Sequence, residues 1–468
     1  MRIIQVLASS ILSGLLFWAG FAPLELWISP LIGAILLFKL LADKPYRERL
    51  FISLATGASF FLPLLHWSST YVGSIPWLIL ALGETLLFAT ISILPIKRNI
   101  GGVLILASGF TLIELLRMKF PFGGFGWGRL GFTQVDSFNG LYPIVGVTGI
   151  SFLVFMLPAV TLASIRVRSA ILVLLSVAFL YPISVQQHLD TVNIMAVQGG
   201  VDELGLDFNA RALSVLQRHI DITPRDISSD LIIWPENAVD VDPKVNLQAR
   251  ERMKQLFDEI DVPLLVGVVE QTSGGPANSS IMYDANGNEI SRYTKQDLAP
   301  FGEYIPLRRI AERISPFTDQ VRDFVPGSSW VRHTINGRTF TTFICFEILD
   351  DDHVREGALG SDFLVAQTNN ATFGESSQAA QQLTMTRARA AELGRDFAVV
   401  STTGFTAHLD REGSIIDSIE QFKGGALEMS VRTHEDRTLA SQLTTLIWAI
   451  FLVLMMGLGT RLSSVFNR

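Results

Sequence analysis

The chain has 468 residues, of which 49% are hydrophobic and only 17% are charged, and its mean hydropathy is +0.37. This balance is too apolar for an ordinary soluble protein of this length, so we expect part of the chain to lie in lipid. The formal net charge of −7 gives no basic surface of the kind that nucleic acid requires, and no nucleic-acid partner is predicted.

Eight apolar stretches approach the length needed to cross a bilayer, which is about 20 helical residues. Seven precede residue 190 and one lies near the C-terminus, approximately at residues 3–22, 27–42, 50–67, 75–96, 101–116, 141–165, 170–185 and 444–460. The first could be a signal peptide, but it is long and lacks a clear cleavage site, so we interpret it as a helix. We predict a seven-span bundle over 1–187 and an eighth span with a cytoplasmic tail over 441–468.

Basic residues in the short loops predict the orientation of the spans. They lie before span one and after spans two, four, six and eight, as Arg2, Lys39, Lys44, Arg47, Arg49, Lys97, Arg98, Arg166, Arg168, Arg461 and Arg468. The loops after spans one and three contain no lysine or arginine, whereas the loop after span five breaks the bias with Arg117, Lys119 and Arg129. Both termini are therefore predicted to be cytoplasmic, and the segment between spans seven and eight to lie outside.

That outer segment, residues 188–440, has a different pattern. Strand-like runs begin near residues 192, 230, 263, 279, 340, 362 and 397, and longer charged stretches typical of helices separate them. Asn286-Gly287 lies between two short strand-like runs and predicts a hairpin. The alternation predicts an α/β domain with covered sheets, and about 250 residues is enough for one core.

The only cysteine, Cys345, closes the apolar run of the stretch TTFICFEIL. A lone thiol has no disulfide partner within its own chain, so it either fills a core as a small hydrophobe or is kept for chemistry. The seven histidines fall in no motif near it, and a Cys–His catalytic pair is not indicated.

Two further strand ends present ionisable side chains. The run LIIWPENAV turns at its Trp-Pro pair and presents Glu236, which could also be an acid in the first turn of a helix. In SRYTKQDLAPFGEYIP a strand ends at Lys295 and a loop presents Glu303, which taken singly are a solvated lysine and a surface acid. Together with Cys345 they supply the parts for acyl transfer through a thioester: a base, a cation for the oxyanion and a nucleophile.

These segments, in chain order, resemble the Glu-Lys-Cys triad segments of the nitrilase superfamily: WPE at 234–236, PFGEYIP at 300–306 after Lys295, and ICFE at 344–347. Joined to an eight-span bundle, they are similar to the apolipoprotein N-acyltransferase family, which acts last in bacterial lipoprotein maturation. The resemblance covers the whole chain, including TNNATFG at 368–374, ARAAELGR at 388–395 and FGWGRLGF at 125–132. It implies a polytopic helical bundle in the cell membrane and an extracytoplasmic, nitrilase-like αββα sandwich.

The resemblance also implies roles for individual residues. Glu236 would be the general base, Lys295 the cation beside the oxyanion and Cys345 the nucleophile. Supporting roles are implied for Trp234, Glu303, Phe346 and Glu347, and substrate contacts for Phe301, Tyr304, Asn369 and Asn370. The family usually has tyrosine after the nucleophile, so the phenylalanine here removes any role for a phenol hydroxyl, although the ring can still line the pocket.

The implied reaction takes an acyl chain from a membrane phospholipid and passes it, through a thioester, to the α-amine of the diacylglyceryl-cysteine of an apolipoprotein, without a cofactor. A membrane-anchored amidase or nitrilase acting on a small amide is one alternative. Against this alternative, seven spans exceed what an anchor needs. A non-catalytic transporter or scaffold is another alternative, but no inverted repeat stands out.

No metal or nucleotide site is predicted. The sequence contains no H-E-x-x-H, no pair of cysteines and no P-loop. The G-x-G-x-x-G pattern at 126–131 follows a membrane span rather than a strand, so we interpret its aromatic and glycine residues as an interfacial loop.

Two further regions have features that indicate contacts within the bundle or with lipid. Glu84 and Glu114 fall within predicted spans, and Glu114 shares a helix face with Arg117, which indicates an internal ion pair or a contact with a lipid headgroup. The long aromatic loop over about 299–330 is predicted to be a lid whose apolar residues meet acyl chains. These apolar residues are Phe301, Tyr304, Ile305, Phe317 and Phe324.

Overall fold

A computed structural model describes residues 2–71, 73–162, 190–201, 204, 213–300, 302–312 and 322–465. The chain forms two compact units. One comprises residues 1–185 together with 438–468, and the other comprises residues 186–437.

The first unit is helical. Before its C-terminal helix Thr445–Val465 come α1 (Arg2–Trp18), α2 (Ile28–Leu41), α3 (Tyr46–Leu64), α4 (Ser74–Ala89), α5 (Ile100–Lys119), α6 (Tyr142–Met156) and α7 (Pro158–Leu162). Within the described residues, four stretches are long and apolar enough to cross a membrane: Ser74–Ile93, Ile100–Lys119, Asn139–Leu162 and Thr445–Val465. Two apolar helices, Ile3–Trp18 and Ile28–Leu41, are shorter. The count of eight spans stays a prediction, and the predicted seventh, 170–185, lies outside the described residues.

Aromatic rings and glycines pack the interior of this helical unit. Phe110 and Phe155 approach to 3.8 Å between ring centroids, and Phe17 meets both Phe155 and Phe60 at 5.8 Å. A Cβ atom at Gly101 would lie 2.3 Å from the carbonyl oxygen of Gly459 on the C-terminal helix. The absence of a side chain therefore lets α5 and the C-terminal helix touch backbone to backbone, as small residues do in membrane bundles.

Acidic and basic side chains inside the helical unit hold the glycine-rich loop that follows α5. Arg117 is ion-paired with Glu84 and donates to the carbonyl oxygen of Trp127 at 2.7 Å. Glu114 accepts a hydrogen bond from the N–H of Leu130 at 2.8 Å. The ion pair of Arg117 is therefore made with α4, whereas Glu114 satisfies the loop backbone.

Among the described residues, the strands of the second unit form two six-stranded sheets. The strands are β1 (Thr191–Gln198), β2 (Leu231–Ile233), β3 (Leu264–Thr272), β4 (Gly275–Tyr283), β5 (Glu289–Thr294), β6 (His333–Ile335), β7 (Arg338–Ile344), β8 (Phe363–Thr368), β9 (Phe397–Ser401), β10 (Thr406–Leu409), β11 (Ile415–Ile419) and β12 (Gly425–Arg432). The first sheet has the order β12-β1-β2-β3-β4-β5 and the second β11-β10-β9-β8-β7-β6. In each sheet three central strands are parallel, β1 to β3 and β7 to β9.

Helices cover the outer faces of both sheets. They are α8 (Ser214–Ile222), α9 (Leu247–Glu259), α11 (Asp351–Ala358) and α12 (Gln378–Leu393), whereas the short α10 (Arg308–Ala311) lies in the connection between β5 and β6. One buried cluster joins the first sheet to α8 and α9, and another joins the two sheets through residues such as Ile233 and Val365. On the far side, Gly357 of α11 packs against the ring of Phe343. The αββα sandwich implied by the resemblance is thus confirmed for the described residues.

The predicted strand pattern is confirmed where apolar runs are continuous. All seven strand-like runs lie in strands, and the hairpin at Asn286-Gly287 joins the antiparallel β4 and β5, with Gly287 at φ 78°. Strands β6, β10, β11 and β12 were not predicted. Strand β12 alternates exposed with partly buried residues at its start, and β11 is almost wholly exposed, so neither has the apolar run of a buried parallel strand.

Candidate active site

The structure brings the three predicted catalytic residues together at strand ends. Glu236 follows β2, Lys295 follows β5 directly and Cys345 follows β7 directly. The charges of Glu236 and Lys295 both act on the pKa of the Cys345 thiol, so the three side chains lie within electrostatic reach of one another.

Cys345 occupies an unusual backbone conformation. Its φ is 52°, in the left-handed region that few residues other than glycine adopt. The chain turns there from β7 into the single 3₁₀ turn Cys345–Leu349. The last five residues of β7 are buried, and Cys345, at the strained turn that directly follows them, is half-buried as a whole residue.

Glu236 is held by hydrogen bonds at both carboxylate oxygens. Asn278 Nδ2 donates to its Oε1 at 2.6 Å, and the backbone N–H of Asn369 donates to its Oε2 at 2.7 Å. Burial raises the pKa of Glu236 above its ordinary value against the opposing effect of Lys295, and Glu303 adds to the rise. Glu236 is therefore both oriented and more basic than an exposed carboxylate.

Lys295 is a buried cation between two carboxylates. Its Nζ lies 2.8 Å from Oε2 of Glu303 and 3.5 Å from Oε1 of Glu236, and the side chain is 1% exposed. Burial alone would lower the pKa of Lys295, but Glu303 and Glu236 raise it above the ordinary lysine value. The side chain is an ammonium, and the alternative of a solvated lysine at the strand end is wrong.

The Cys345 sulfur is protonated at neutral pH. Burial and the Glu236 carboxylate raise the pKa of this thiol to about 12, although Lys295 opposes them. Since the thiolate is the nucleophilic form, such a thiol attacks only as a neighbouring base removes its proton. The basic carboxylate of Glu236 fits that requirement.

Glu347 ties the turn after β7 to the loop after β5. Its Oε2 accepts from the N–H of Ile344 at 2.7 Å, and its Oε1 accepts from the N–H of Gln296 at 2.8 Å. These two N–H groups belong to the immediate neighbours of Cys345 and Lys295. A single buried carboxylate therefore fixes Cys345 and Lys295, the predicted nucleophile and cation, relative to each other.

Glu347 stays ionised in this buried position. The Tyr293 hydroxyl donates to its Oε1 at 2.7 Å, and the His353 ring lies 3.3 Å away. Burial alone would raise the pKa of Glu347, but His353, Tyr293 and the backbone N–H groups lower it below its ordinary value. A carboxylate with this many donors is suited to positioning rather than to proton transfer.

Helix α12 supports the cysteine turn from behind. Gln382 Nε2 donates to Cys345 Sγ at 3.7 Å. Arg389 is fully buried and donates to the carbonyl oxygens of Ile348 and Leu349, at 2.8 and 3.0 Å. Arg389, the first arginine of the ARAAELGR stretch, therefore stabilises the end of the turn that begins at Cys345.

Trp234 lies two residues before Glu236, the predicted base, and its contacts are structural. It is fully buried, its Nε1 donates to Thr223 Oγ1 at 3.0 Å, and its carbonyl oxygen accepts from Gln367 Nε2 at 2.6 Å. These bonds fix the strand end that presents Glu236.

The two asparagines predicted to contact substrate also have internal partners. Asn369 presents its backbone N–H to Glu236. Asn370 donates from Nδ2 to Oε1 of Gln378 at 2.6 Å and of Gln382 at 2.9 Å. Asn370 thus holds the glutamine that contacts the sulfur, and its contact with substrate stays a prediction.

The aromatic residues predicted to meet the acyl chain are only partly described. Tyr304 and Phe346 are half-buried. Phe301 and Phe317 lie outside the described residues, so their predicted roles stay predictions.

Sequence reasoning missed Asn278 and Gln382. Asn278 is 1% exposed inside β4, and its Nδ2 also reaches Oε1 of Glu303, at 3.2 Å. An amide in a strand interior is a signal in itself, because a buried polar group requires a partner. Gln382 gave no such signal, since glutamine is an ordinary helix residue.

Comparisons with known proteins match both units. Residues 13–160 match the model of the apolipoprotein N-acyltransferase N-terminal domain, and residues 187–452 match that of carbon-nitrogen hydrolases. An apolipoprotein N-acyltransferase of Mycolicibacterium smegmatis is 30% identical over 96% of this chain and 83% of its own length. One of Haemophilus influenzae is 29% identical over 92% of this chain and 89% of its own. Among solved structures, an amidase from Nesterenkonia sp. is 17% identical with a TM-score of 0.38, covering 55% of this chain and 96% of that one.

Proposed function

Since the chain belongs to the apolipoprotein N-acyltransferase family, we propose that it moves an acyl chain from a membrane phospholipid, through a thioester on Cys345, to the α-amine of a diacylglyceryl-cysteine. The acceptor is the lipid-modified N-terminal cysteine of an apolipoprotein. The observation that carries the proposal is the buried group formed by Cys345, Glu236 and Lys295, in a chain that also has helices able to cross a membrane.

In the first half-reaction, Cys345 attacks the ester carbonyl of the phospholipid. Glu236 takes the thiol proton as the S–C bond forms, and the carbonyl electron pair moves onto oxygen beside the Lys295 ammonium. Collapse of this tetrahedral species breaks the ester C–O bond. The departing lysophospholipid oxygen recovers the proton from Glu236, so the products are a thioester and a neutral alcohol.

In the second half-reaction, the acceptor amine attacks the thioester carbonyl. Glu236, again a carboxylate, takes a proton from the amine while Lys295 again stabilises the oxyanion. The C–S bond breaks, the sulfur recovers the proton from Glu236, and an amide is released. The enzyme returns to its starting protonation state, as a ping-pong mechanism requires.

We place the reaction on the outer face of the bacterial cell membrane. The support is the distribution of lysine and arginine, which puts both termini in the cytoplasm and residues 188–440 outside. A donor taken from the bilayer also explains a helical unit larger than a single anchor.

The thioester is tested by mass spectrometry of the intact, full-length protein after incubation with phospholipid. We expect one added acyl mass at Cys345, removed by neutral hydroxylamine and discharged by a diacylglyceryl-cysteine peptide. Cys345→Ser is the matched control, because its hydroxyl is far less readily ionised and should form little or no adduct. Absence of a hydroxylamine-labile acyl group on the wild-type protein would overturn the proposal.

The same experiment separates the proposal from a membrane-anchored amidase. An amidase would acylate Cys345 from a small amide and release the acyl group to water. Acylation only from a lipid donor, with discharge dependent on the peptide amine, identifies the acyltransferase.

A further inference from the structure

His353, on α11, lies between two carboxylates near the active site. Its Nε2 is 3.3 Å from Oε1 of Glu347, and its Nδ1 is 3.3 Å from Oδ2 of Asp297. A neutral imidazole has one N–H, so one ring lone pair would face a carboxylate, whereas an imidazolium donates to both. The geometry therefore fits a protonated ring.

The surroundings of the ring point the same way. The side chain is 9% exposed, and the ring lies 4.4 Å from that of Trp330, which favours a cation over an aromatic face. The acid Asp350 also acts on His353, and the neutral Tyr293 hydroxyl lies 3.5 Å from Nε2.

The two carboxylates belong to the two halves of the catalytic group. Asp297 comes two residues after Lys295, and Glu347 two residues after Cys345. We propose that His353 is a positioning residue, which as an imidazolium ties the Lys295 loop to the Cys345 turn and holds the nucleophile in its reactive setting. The inference rests on the proposed function in taking Cys345 as the nucleophile.

The bridge has a defined dependence on pH. Burial alone would lower the pKa of His353, but Glu347 and Asp297 raise it above the ordinary histidine value. A group with a raised pKa is charged below that value and loses its proton as the pH rises through it. The positioning effect is therefore full at low pH and is lost as the pH rises through the pKa of His353.

The test uses the fact that Cys345 is the only thiol in the chain. The alkylation rate by iodoacetamide is measured against pH on the full-length protein, in detergent without phospholipid, for the wild type and for His353→Phe. Phenylalanine keeps a ring against Trp330 and removes both donors. Because small displacements of a reacting group can lower rates by up to roughly 100-fold, we expect a wild-type to variant rate ratio of about 10 at low pH. The ratio should fall towards one as the pH rises.

Two further variants separate positioning from a general loss of structure. His353→Gln keeps a donor towards Glu347 but does not titrate. Its alkylation rate at low pH should therefore lie between those of the wild type and His353→Phe. The amount by which its rate falls below that of the wild type should not follow the titration of a histidine. His333→Gln is the matched control, because His333 is a buried histidine of the same unit whose pKa burial lowers to about 4 and whose Nδ1 bonds Ser291. The ratio of the wild-type alkylation rate to that of His333→Gln should not vary with pH.

If His353→Phe does not fold, Asp297→Asn serves, since Asp297 is 44% exposed. Loss of this carboxylate lowers the pKa of His353, so the thiol should lose reactivity at lower pH than in the wild type. A ratio for His353→Phe that is independent of pH, or an unshifted Asp297→Asn profile, would overturn the inference. The alkylation assay needs no acyl donor, so it is independent of the proposed function. If phospholipid gave no acyl adduct but the ratio of wild-type to His353→Phe alkylation rates still varied with pH, only the proposed function would be contradicted.

Discussion

Lys295 lies closer to Glu303 than to Glu236, with Nζ at 2.8 Å from the former and 3.5 Å from the latter. Because electrostatic attraction falls with distance, the Lys295 ammonium interacts more strongly with Glu303 than with Glu236. The pKa of Glu236 is therefore lowered less than it would be in a tight ion pair with Lys295. Asn278 links the two carboxylates by donating to both, at 2.6 and 3.2 Å. Glu303 therefore acts on the predicted base as well as on the predicted cation.

Substitution Glu303→Gln should weaken the base. Removing a like charge and freeing Lys295 to approach Glu236 both lower the pKa of Glu236. Since Glu236 must be ionised to act, the acid limb of the pH profile for thioester formation should move to lower pH. The maximal rate should fall by about 100-fold, within the range attributed to general base catalysis. Single-turnover acylation measured from about pH 4 to 8 tests both effects.

Glu270→Gln is the control for that substitution. Glu270 is 7% exposed and is ion-paired with Arg292 and with Lys244, the latter at 3.2 Å, and among the described residues it forms no ion pair with Lys295. Its loss should leave the acid limb in place. A Glu303→Gln profile superimposable on that of the wild type would contradict the role given to Glu303.

The three residues proposed to be catalytic should behave as one unit. Glu236→Gln, Lys295→Ala and Cys345→Ala should each remove nearly all turnover, and a double variant should be little worse than a single one, because residues that act together are strongly non-additive. Turnover of phospholipid with a diacylglyceryl-cysteine peptide measures this. Substantial activity in Glu236→Gln would show that another group is the base.

The sequence predicted the three strand ends for a physical reason. A proline after Trp234, a polar loop after Lys295 and the end of an apolar run at Cys345 each mark the end of a strand, and side chains at such ends face the rim of the sheet. The face-to-face packing of the two sheets, which brings these rims together, depends on contacts far apart in sequence. Neither composition nor periodicity reports such contacts.

The supporting groups were harder to predict. Glu347 was expected to support the triad, but its bond to the N–H of Gln296 joins residues 51 apart and follows only from the fold. Gln382 went unnoticed because an amide on a helix has no distinctive pattern, whereas Asn278 carries a signal, a polar side chain inside a strand, that does not identify its partner. Strand β11 was not predicted for a similar reason. It is an exposed edge strand, so its pairing with β10 rather than its own hydrophobicity defines it.

A topology experiment tests the predicted orientation of the membrane spans. A reporter that is active only outside the cytoplasm should be active when fused at Gly275, which begins β4, and silent when fused after Arg47. The arginine and lysine bias of the short loops is the reason for this expectation. The reverse pattern would place the catalytic group in the cytoplasm and would be incompatible with the proposed acceptor.

Gln382 should make the Cys345 thiol easier to ionise. Its Nε2 donates to the sulfur at 3.7 Å, and a donor to the ionised form lowers the pKa of the thiol. Gln382→Met removes this donor at similar volume, so the thiol pKa should rise further, and acylation should slow by about 10-fold, roughly one hydrogen bond to a charged group. Gln382→Glu should be slower still, because a carboxylate repels the developing thiolate. Iodoacetamide alkylation and single-turnover acylation both report the change.

Gln381→Met is the matched control for this prediction, since Gln381 is on the same helix and is 1% exposed, and its amide donates to Ser377 instead of to the sulfur. A loss of helix packing would slow both variants alike, whereas the loss of a donor to sulfur slows only the Gln382 variants. Because Gln382 Oε1 also accepts from Asn370, the Gln382→Glu variant keeps that contact and isolates the effect at sulfur. Equal rates for Gln382→Met, Gln382→Glu and the wild type would show that the contact with Cys345 has no part in activating the thiol.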